Sequence, residues 1–239
     1  MINRMIDFSS HLDRKGFESD SKATWGQSFF DTVEDLKSLL SRRPPEQRLQ
    51  QFFESHPYLL PGIDALHNGP LAGIVATKFC LGNSFQTDFS FVSANSQELR
   101  ITCVEIESPR KSIFRKDGEF SRDYLMAKQQ ILDWMFWAHH NVKQALDCWG
   151  PLMGGRVRRL HTIYFGGYLV FGRRAEIDNP KKQERWSAED LTLARGLSTM
   201  TYDRLLDWRE GRWIPKIRYG KIAVCSYKDR RFIAKKLCI

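Results

Sequence analysis

Three acidic residues lie beside short apolar segments of the chain. Asp88 lies in the segment TDFSFV, and Glu105 and Glu107 lie in the segment VEIE. If the two segments are antiparallel strands joined by the polar turn SANSQE, Asp88 and Glu105 lie opposite each other to within a residue or two. Glu105 and Glu107 share one face, because side chains alternate along a strand. The spacing therefore predicts three carboxylates at one end of a sheet.

Carboxylates grouped in this way favour one kind of chemistry. Like charges repel and raise each other's pKa unless a cation offsets them. Mg²⁺ and Mn²⁺ prefer such oxygen ligands. The pattern thus favours metal-assisted phosphodiester hydrolysis, in which the metal polarises the phosphate and lowers the pKa of a bound water. The same spacing also fits unrelated acids at strand ends, because D…ExE is a weak pattern by itself.

The loop that follows the acids is basic. Arg110, Lys111, Arg115 and Lys116 all lie within the string SPRKSIFRKDGEF. Cations beside an acidic metal site suit an anionic substrate, since they contact the phosphates that flank the reacting group. We therefore predict these four residues as nucleic-acid contacts, the alternative being a solvated charged loop.

Apolar spacing places the acids within a succession of helices and strands. Helical spacing occupies residues 31–42 and 46–56, and strand-like patterns follow over residues 70–92. The clearest strand is LRITCVEIE, whose apolar residues fall on both faces. A strand of this kind is usually central in a sheet that is covered on both sides.

The second half of the chain continues the alternation. Ser121 offers an N-cap and Asp123 an acid in the first turn of a helix that we predict over residues 122–147. The later segments read as a strand with a glycine irregularity over 161–174, a helix over 187–197 and a short strand over 198–202. A helix start at residue 203 and a basic strand-like tail over 212–239 follow. This order predicts an α/β fold with a mixed sheet flanked by helices.

Composition narrows the class of protein. The chain has 239 residues, 42% of them hydrophobic, which is enough for one large domain with a sizeable core. Its net charge of +9 favours polyanionic partners, above all nucleic acid. The five cysteines form no CxxC pair, which argues against a zinc ribbon and favours the reducing cytoplasm. No secretory signal and no membrane-spanning run is evident.

Several strings of the chain, taken together, resemble the Shedu family of antiviral defence nucleases. The string VEIESPRKSIFRKDGEFSRDYLMAKQQILDW resembles the catalytic core of that family, and EQRLQQFFESHPYLL resembles its first helix with the His-Pro-x-Leu-Leu ending. TDFSF, GGYLVFGRR and MTYDRLL resemble its Asp-Phe strand, its later core strand and its closing Thr-Tyr-Asp element. The resemblance covers about residues 44–207, in matching order and spacing.

The resemblance implies a PD-(D/E)XK fold, that is, a restriction-endonuclease-like core with a mixed β-sheet flanked by helices. It also implies DNA cleavage in defence against phage with Mg²⁺ or Mn²⁺ as cofactor. On this basis the chain divides into an N-terminal extension over 1–30, a nuclease-like domain over 31–208 and a basic C-terminal segment over 209–239. That last segment is expected to pack on the core or extend it.

Carried over by position, the resemblance assigns roles to individual residues. Asp88 and Glu105 would bind the metal, with the carbonyl of Ile106 nearby and Glu107 as an added ligand. Gln130, in the string QILDW, would point from its helix toward the site. Glu46 would be the acid that the first helix adds to some of these sites.

One position departs from the pattern that the resemblance implies. A site of this kind has Lys two residues after the Glu, where it stabilises charge on the attacking water or the phosphate, and this chain has Glu107 there. Lys78 and Lys111 are the nearest cations that could take over that role. Without such a replacement, the site would be a catalytically degenerate one.

Two other functions therefore remain open alongside the metal-dependent DNA endonuclease. The first is a degenerate nuclease-fold module that binds DNA or a partner protein without cleaving. The second is a protein-interaction domain whose basic surface is incidental. DNA is the expected partner of the endonuclease and of the degenerate module. A second copy of the chain and a partner defence protein are further candidate partners.

Overall fold

A single mixed sheet runs through the protein. The computed structural model describes residues 22–63, 70, 74–83, 85–153, 162–192, 196–207, 223–228 and 231–236. The strands within these ranges are β1 Ile74–Leu81, β2 Phe85–Ala94, β3 Glu98–Ile106, β4 Thr162–Val170, β5 Leu197–Met200, β6 Ala223–Lys228 and β7 Arg231–Lys236. The helices are α1 Lys22–Ser41, α2 Glu46–Ser55, α3 Arg122–His140, α4 Val142–Met153, α5 Pro180–Thr192 and α6 Tyr202–Leu206.

The strands lie in the order β5-β4-β3-β2-β1-β6-β7. β1, β2 and β3 form antiparallel neighbours, whereas β3, β4 and β5 run parallel to one another. At the other edge β6 pairs parallel with β1, and β7 pairs antiparallel with β6. The predicted α/β fold with a mixed sheet flanked by helices is thus confirmed, and the arrangement is consistent with a nuclease-like core.

The sheet separates two hydrophobic cores. Helices α3 and α4 cover one face, where Trp134 and Trp149 are among the largest fully buried side chains. Helices α1, α2 and α6 cover the other face, with Leu36, Phe53 and Tyr202 buried against it. Because both faces are covered, the strands between them are buried on both sides.

β3 contributes apolar residues to both cores. Its residues Ile101 and Cys103 belong to the core under α3, while Val104 and Ile106 belong to the core on the opposite face. The prediction of a central strand apolar on both faces is therefore confirmed. The carboxyl side chain of Glu105 lies between these apolar neighbours, on the α3 side.

The helix predicted over residues 122–147 is two helices. Its start is as predicted, since the Ser121 side chain accepts a hydrogen bond from the Tyr124 N–H at 3.1 Å. The chain leaves the helix at Asn141, whose side-chain amide donates to the Trp137 carbonyl at 2.8 Å. An Asn side chain that competes for backbone groups in this way ends a helix and allows the next one to begin at Val142.

The helix predicted over residues 187–197 begins earlier and ends earlier than expected. Asn179 caps it, because its side-chain oxygen accepts a hydrogen bond from the Lys182 N–H at 3.1 Å, and Pro180 occupies the first helical position. Leu197, the last residue of the predicted helix, is the first residue of β5. The Asn-Pro pair was a start signal that the apolar spacing alone did not reveal.

The ends of the chain bear on the predicted division into segments. α1 already begins at Lys22, inside the predicted N-terminal extension, and β6 and β7 extend the sheet within the predicted C-terminal segment. Residues 1–21 and 208–222 lie outside the described residues, so the domain division stays a prediction. Among the described helices, none combines the length and the apolarity needed to cross a membrane.

A bidentate ion pair joins the end of β4 to α6. Arg173 Nε and Nη2 donate to the two carboxylate oxygens of Asp203, at 3.0 and 2.9 Å, and the Arg174 N–H donates to the same carboxylate at 2.6 Å. Arg173 Nη1 also reaches the Leu40 carbonyl of α1 at 3.2 Å. Burial would raise the pKa of Asp203, but the donors from Arg173 and Arg174 outweigh it and lower this pKa.

We expect Asp203→Asn to lower the free energy of unfolding by about 2 kcal/mol at pH 7, since it removes a partly buried acceptor of charge-assisted hydrogen bonds. Because folding lowers this pKa, the carboxylate stabilises the fold above about pH 4, where the unfolded side chain is ionised. That contribution is lost as the pH falls through the folded-state pKa. Urea unfolding at a series of pH values should show the difference between variant and parent shrinking in acid.

Asp117→Asn is the matched control. Asp117 pairs with Arg115 at 2.7 Å, but its side chain is 55% exposed, so losing that pair should change the stability little. An Asp203→Asn variant that is no less stable than the Asp117→Asn variant would contradict this account of the ion pair.

Candidate functional site

Asp88 and Glu105 lie opposite each other on neighbouring strands. β2 and β3 pair Phe89 with Val104, so the next pair in that register is Asp88 with Glu105, on the same face of the sheet. Both are buried, at 4% and 8% exposure. The Ile106 N–H donates to Asp88 Oδ2 at 2.9 Å, which fixes the carboxylate against β3. The convergence that the hairpin predicted is present.

Glu105 receives one hydrogen bond from α3. Gln130 Nε2 donates to its Oε1 at 3.0 Å, so the side chain that the resemblance directed toward the site does reach it. The other oxygen, Oε2, is buried and has no hydrogen-bond partner among the described residues. Burial raises the pKa of Glu105 to about 10, together with the negative charge of Asp88, a hydrogen bond with the Asp88 side chain and the negative charge of Glu107. The surroundings of this carboxyl group therefore favour its protonated form.

Among the residues that the structure describes, Lys78 is the cation that contacts Asp88. Its Nζ forms an ion pair with Asp88 Oδ1. Burial would lower the pKa of Lys78, but the carboxylates of Asp88, Glu105 and Glu46 outweigh it and raise this pKa. Lys78 thus lies in the acidic group as a charged ammonium.

Glu107 and Lys111 pair with each other beside this group. Lys111 Nζ donates to Glu107 Oε2 at 2.6 Å. The hydroxyl of Tyr202, at the start of α6, donates to the Glu107 carbonyl at 2.6 Å and so holds the chain where it leaves β3. The three residues belong to the neighbourhood of the site, but Lys111 is directed to Glu107 and not to Asp88.

Glu46 brings a fourth carboxylate, from the first residue of α2. Burial, then the negative charges of Asp88 and Glu107, raises the pKa of Glu46. The structure therefore collects carboxylates from β2, β3, the end of β3 and α2. Tyr202 was not predicted from sequence, because nothing in its local pattern indicates contact with a segment almost a hundred residues earlier.

The donor chemistry of this group fits a hard divalent cation. Asp88 and Glu105 offer carboxylate oxygens, and Glu105 Oε2 is buried without a hydrogen-bond partner among the described residues. As the side chains stand, no group of three or more His, Cys, Asp or Glu among the described residues is arranged to hold a metal ion. Mg²⁺ is usually bound by one or two carboxylates with water completing its shell, so two such ligands suffice. The Lys78 ammonium is already paired with Asp88 Oδ1, which is one of the oxygens that would bind the ion.

The four residues predicted to contact nucleic acid differ in whether their side chains already bind other groups of the protein. Lys111 is engaged by Glu107, and Arg115 Nη2 donates to Asp117 at 2.7 Å. Arg110 Nε donates to the carbonyl of Arg43 at 2.6 Å, which leaves the rest of its exposed guanidinium facing outward. Lys116 is exposed on the same loop. Their contact with nucleic acid stays a prediction.

A glycine brings α3 close enough for Gln130 to reach Glu105. Gly167, on β4, has no side chain, and a Cβ added there would overlap Ile131 Cγ2 on α3 and lie 3.3 Å from Leu197 Cδ1. The glycine irregularity predicted for this strand is therefore a close approach of a helix, and β4 itself is continuous. Gln130 and Ile131 are neighbours, so the same contact positions both.

The family model described as the C-terminal part of the Shedu protein SduA matches residues 43–206, which is well over half of the chain. The matched range includes every residue that the structure gathers around Asp88. No curated protein matches the chain.

We expect Gly167→Ala to lower the free energy of unfolding by about 2 kcal/mol, because its methyl group would force α3 away from the sheet. Gly150→Ala is the control, since a Cβ at this exposed position of α4 meets nothing within 4 Å. It should instead raise stability by about 1 kcal/mol through helix propensity. Thermal and urea unfolding measure both, and equal effects of the two substitutions would show that α3 does not need the close approach.

Proposed function

The chain belongs to the Shedu family, and from that premise we propose that it is a metal-dependent DNA endonuclease of antiphage defence. Family membership implies the part in defence. The observation that carries the proposal of hydrolysis is the pair of buried carboxylates, Asp88 and Glu105, side by side on neighbouring strands. Two buried carboxylates side by side are costly unless one of them is protonated or a cation offsets their charge, and a divalent cation would offset both.

The proposed reaction is hydrolysis of a phosphodiester bond. Water adds to a phosphorus atom of the DNA backbone, one P–O ester bond breaks, and the oxygen that leaves takes up a proton to become a hydroxyl group. The other product keeps the phosphate as a monoester. A divalent cation, when bound, supplies a Lewis acid for the phosphoryl oxygens and lowers the pKa of a water. The chain would hold that cation through Asp88 and Glu105.

Lys78 is the best replacement for the lysine that Glu107 displaces from the usual motif position. It lies on β1, the strand next to the β2 strand of Asp88, and its ammonium lies against Asp88, within the influence of Glu105. Lys111 is the weaker choice, because its ammonium is bound to Glu107. A lysine that reaches the acids from β1 can stabilise negative charge on the phosphate as a lysine on β3 would.

The remaining residues have supporting roles in this proposal. Gln130 orients the Glu105 carboxyl, and Tyr202 holds the backbone at Glu107. The exposed cations Arg110 and Lys116 are candidates for backbone phosphates flanking the cleaved bond, in keeping with the net charge of +9.

A specific observation also supports the second candidate, a degenerate nuclease fold that binds DNA without cutting. Glu107 replaces the motif lysine, and both oxygens of Asp88 already have partners, in Lys78 and the Ile106 N–H. A site satisfied in this way is stable without a metal. Cleavage assays separate the two candidates directly.

We expect the purified protein to cleave plasmid or linear DNA in the presence of Mn²⁺ or Mg²⁺ and to stop when the ion is chelated. Asp88→Ala and Glu105→Ala should each reduce the rate by about a hundredfold or more, because each removes a ligand of the cation that activates the phosphate. DNA binding, measured by electrophoretic mobility, should survive, since the proposed phosphate contacts Arg110 and Lys116 are unchanged in both variants.

Glu98→Ala is the matched control, because Glu98 lies on the same strand as Glu105 but pairs with Arg100 at the far end. This variant should cut at the parent rate. Cleavage by Asp88→Ala at the parent rate would refute the metal site, while DNA binding without any metal-dependent cutting by the parent would favour the degenerate module.

A further inference from the structure

Lys78 has a backbone conformation that lysine rarely adopts. Its φ of +46° lies in the left-handed region, although it is in the middle of β1. Such a conformation costs about 1–3 kcal/mol for a residue with a side chain, and it persists only where the surroundings impose it. Strain of this kind concentrates at functional sites.

The left-handed residue shifts the side-chain alternation of its strand. Ile74 and Ala76 lie in the same core as Phe79 and Leu81, so the two-residue period slips by one at Lys78. Thr77 and Phe79 still pair in one continuous register with β2, which puts Lys78 directly across from Asp88. The register is thus the same on both sides of Lys78, and the distortion changes the direction of the side chains that follow it in the strand.

The two oxygens of Asp88 have partners of different kinds. Oδ2 accepts the Ile106 N–H, a main-chain group fixed in β3, at 2.9 Å. Oδ1 accepts the Lys78 ammonium, which ends a flexible side chain that is 41% exposed. A cation that binds Asp88 therefore competes with Lys78 for Oδ1, because the backbone donor at Oδ2 cannot move without breaking the sheet, whereas the lysine side chain can.

The charges around Lys78 favour a cation at this place. The carboxylates of Asp88, Glu105 and Glu46 all act on its ammonium, and together they outweigh the cost of its partial burial. A divalent ion satisfies the same carboxylates with twice the charge. The lysine and the ion are thus alternative occupants of one region of negative potential.

We propose that Lys78 is a resident counter-ion, which occupies Asp88 in the metal-free protein and is displaced from it by the divalent cation. The inference rests on the proposed metal-dependent function. The displaced ammonium moves toward solvent, which is the side from which a phosphate reaches the carboxylates. Binding of the ion and presentation of the lysine to the substrate are then one event, and the acidic group is never left without positive charge.

Isothermal titration with Mn²⁺ at fixed pH, without DNA, tests this competition. Lys78→Met removes the competing ammonium, so Mn²⁺ should bind about tenfold more tightly than to the parent, the value of one charge-assisted hydrogen bond. Lys37→Met is the matched control, because Lys37 is an exposed lysine of α1 that pairs only weakly with Glu34, at 3.9 Å. Its Mn²⁺ affinity should equal that of the parent.

Lys78→Gly is a second test of the competition, which still decides it if Lys78→Met does not fold. Glycine tolerates a positive φ, so it removes the ammonium while relieving the backbone strain, and thermal unfolding should show a folded protein. It should bind Mn²⁺ as tightly as Lys78→Met does. Unchanged or weaker Mn²⁺ binding by both variants would overturn the proposal, because a lysine that merely orients Asp88 would loosen the site when removed.

Asp88→Ala separates this proposal from the function on which it rests. If the parent binds Mn²⁺ and Asp88→Ala does not, the metal site stands, and the Lys78 variants alone decide the role of the lysine. If the parent and Asp88→Ala bind Mn²⁺ equally, or neither binds it, the metal site itself is refuted, and the displacement of Lys78 falls with it.

Discussion

Negative charge buried within a sheet needs a positive partner, and the arrangement around Asp88 follows from that need. Asp88 and Glu105 lie side by side under α3, where water is excluded and repulsion between carboxylates is strong. Burial and this repulsion raise the pKa of Glu105 to about 10, while the ammonium of Lys78 and the Ile106 N–H satisfy Asp88. In the metal-free protein, Lys78 offsets the charge of Asp88, and the raised pKa favours the protonated form of Glu105. We propose that a divalent ion replaces the lysine.

The rest of the fold keeps this group of charges in place from three directions. The antiparallel pairing of β2 with β3 sets Asp88 against Glu105, and the close approach of α3 at Gly167 lets Gln130 reach the carboxyl. On the opposite side, Tyr202 binds the chain where β3 ends. These contacts belong to the two hydrophobic cores, so the stability of the protein and the geometry of the acids have a common origin.

The acidic pair could be predicted from sequence because hairpin pairing is local, and a short polar turn largely fixes which residues face each other. The position of Lys78 could be named only as one of two candidates, since it depends on a left-handed backbone that no residue type announces. Contacts distant in sequence, such as Tyr202 with Glu107, carry no local signal at all. Helix ends were misjudged where a single capping residue, Asn141, outweighed the apolar spacing.

A crystal soaked in Mn²⁺ tests the central claim most directly, because anomalous scattering locates manganese independently of the protein density. The account predicts a strong anomalous peak between the carboxyl groups of Asp88 and Glu105, with the Lys78 ammonium moved away from Asp88. The claim would be contradicted by a crystal in which manganese binds elsewhere, no peak lies between the two carboxyl groups and Lys78 is still paired with Asp88.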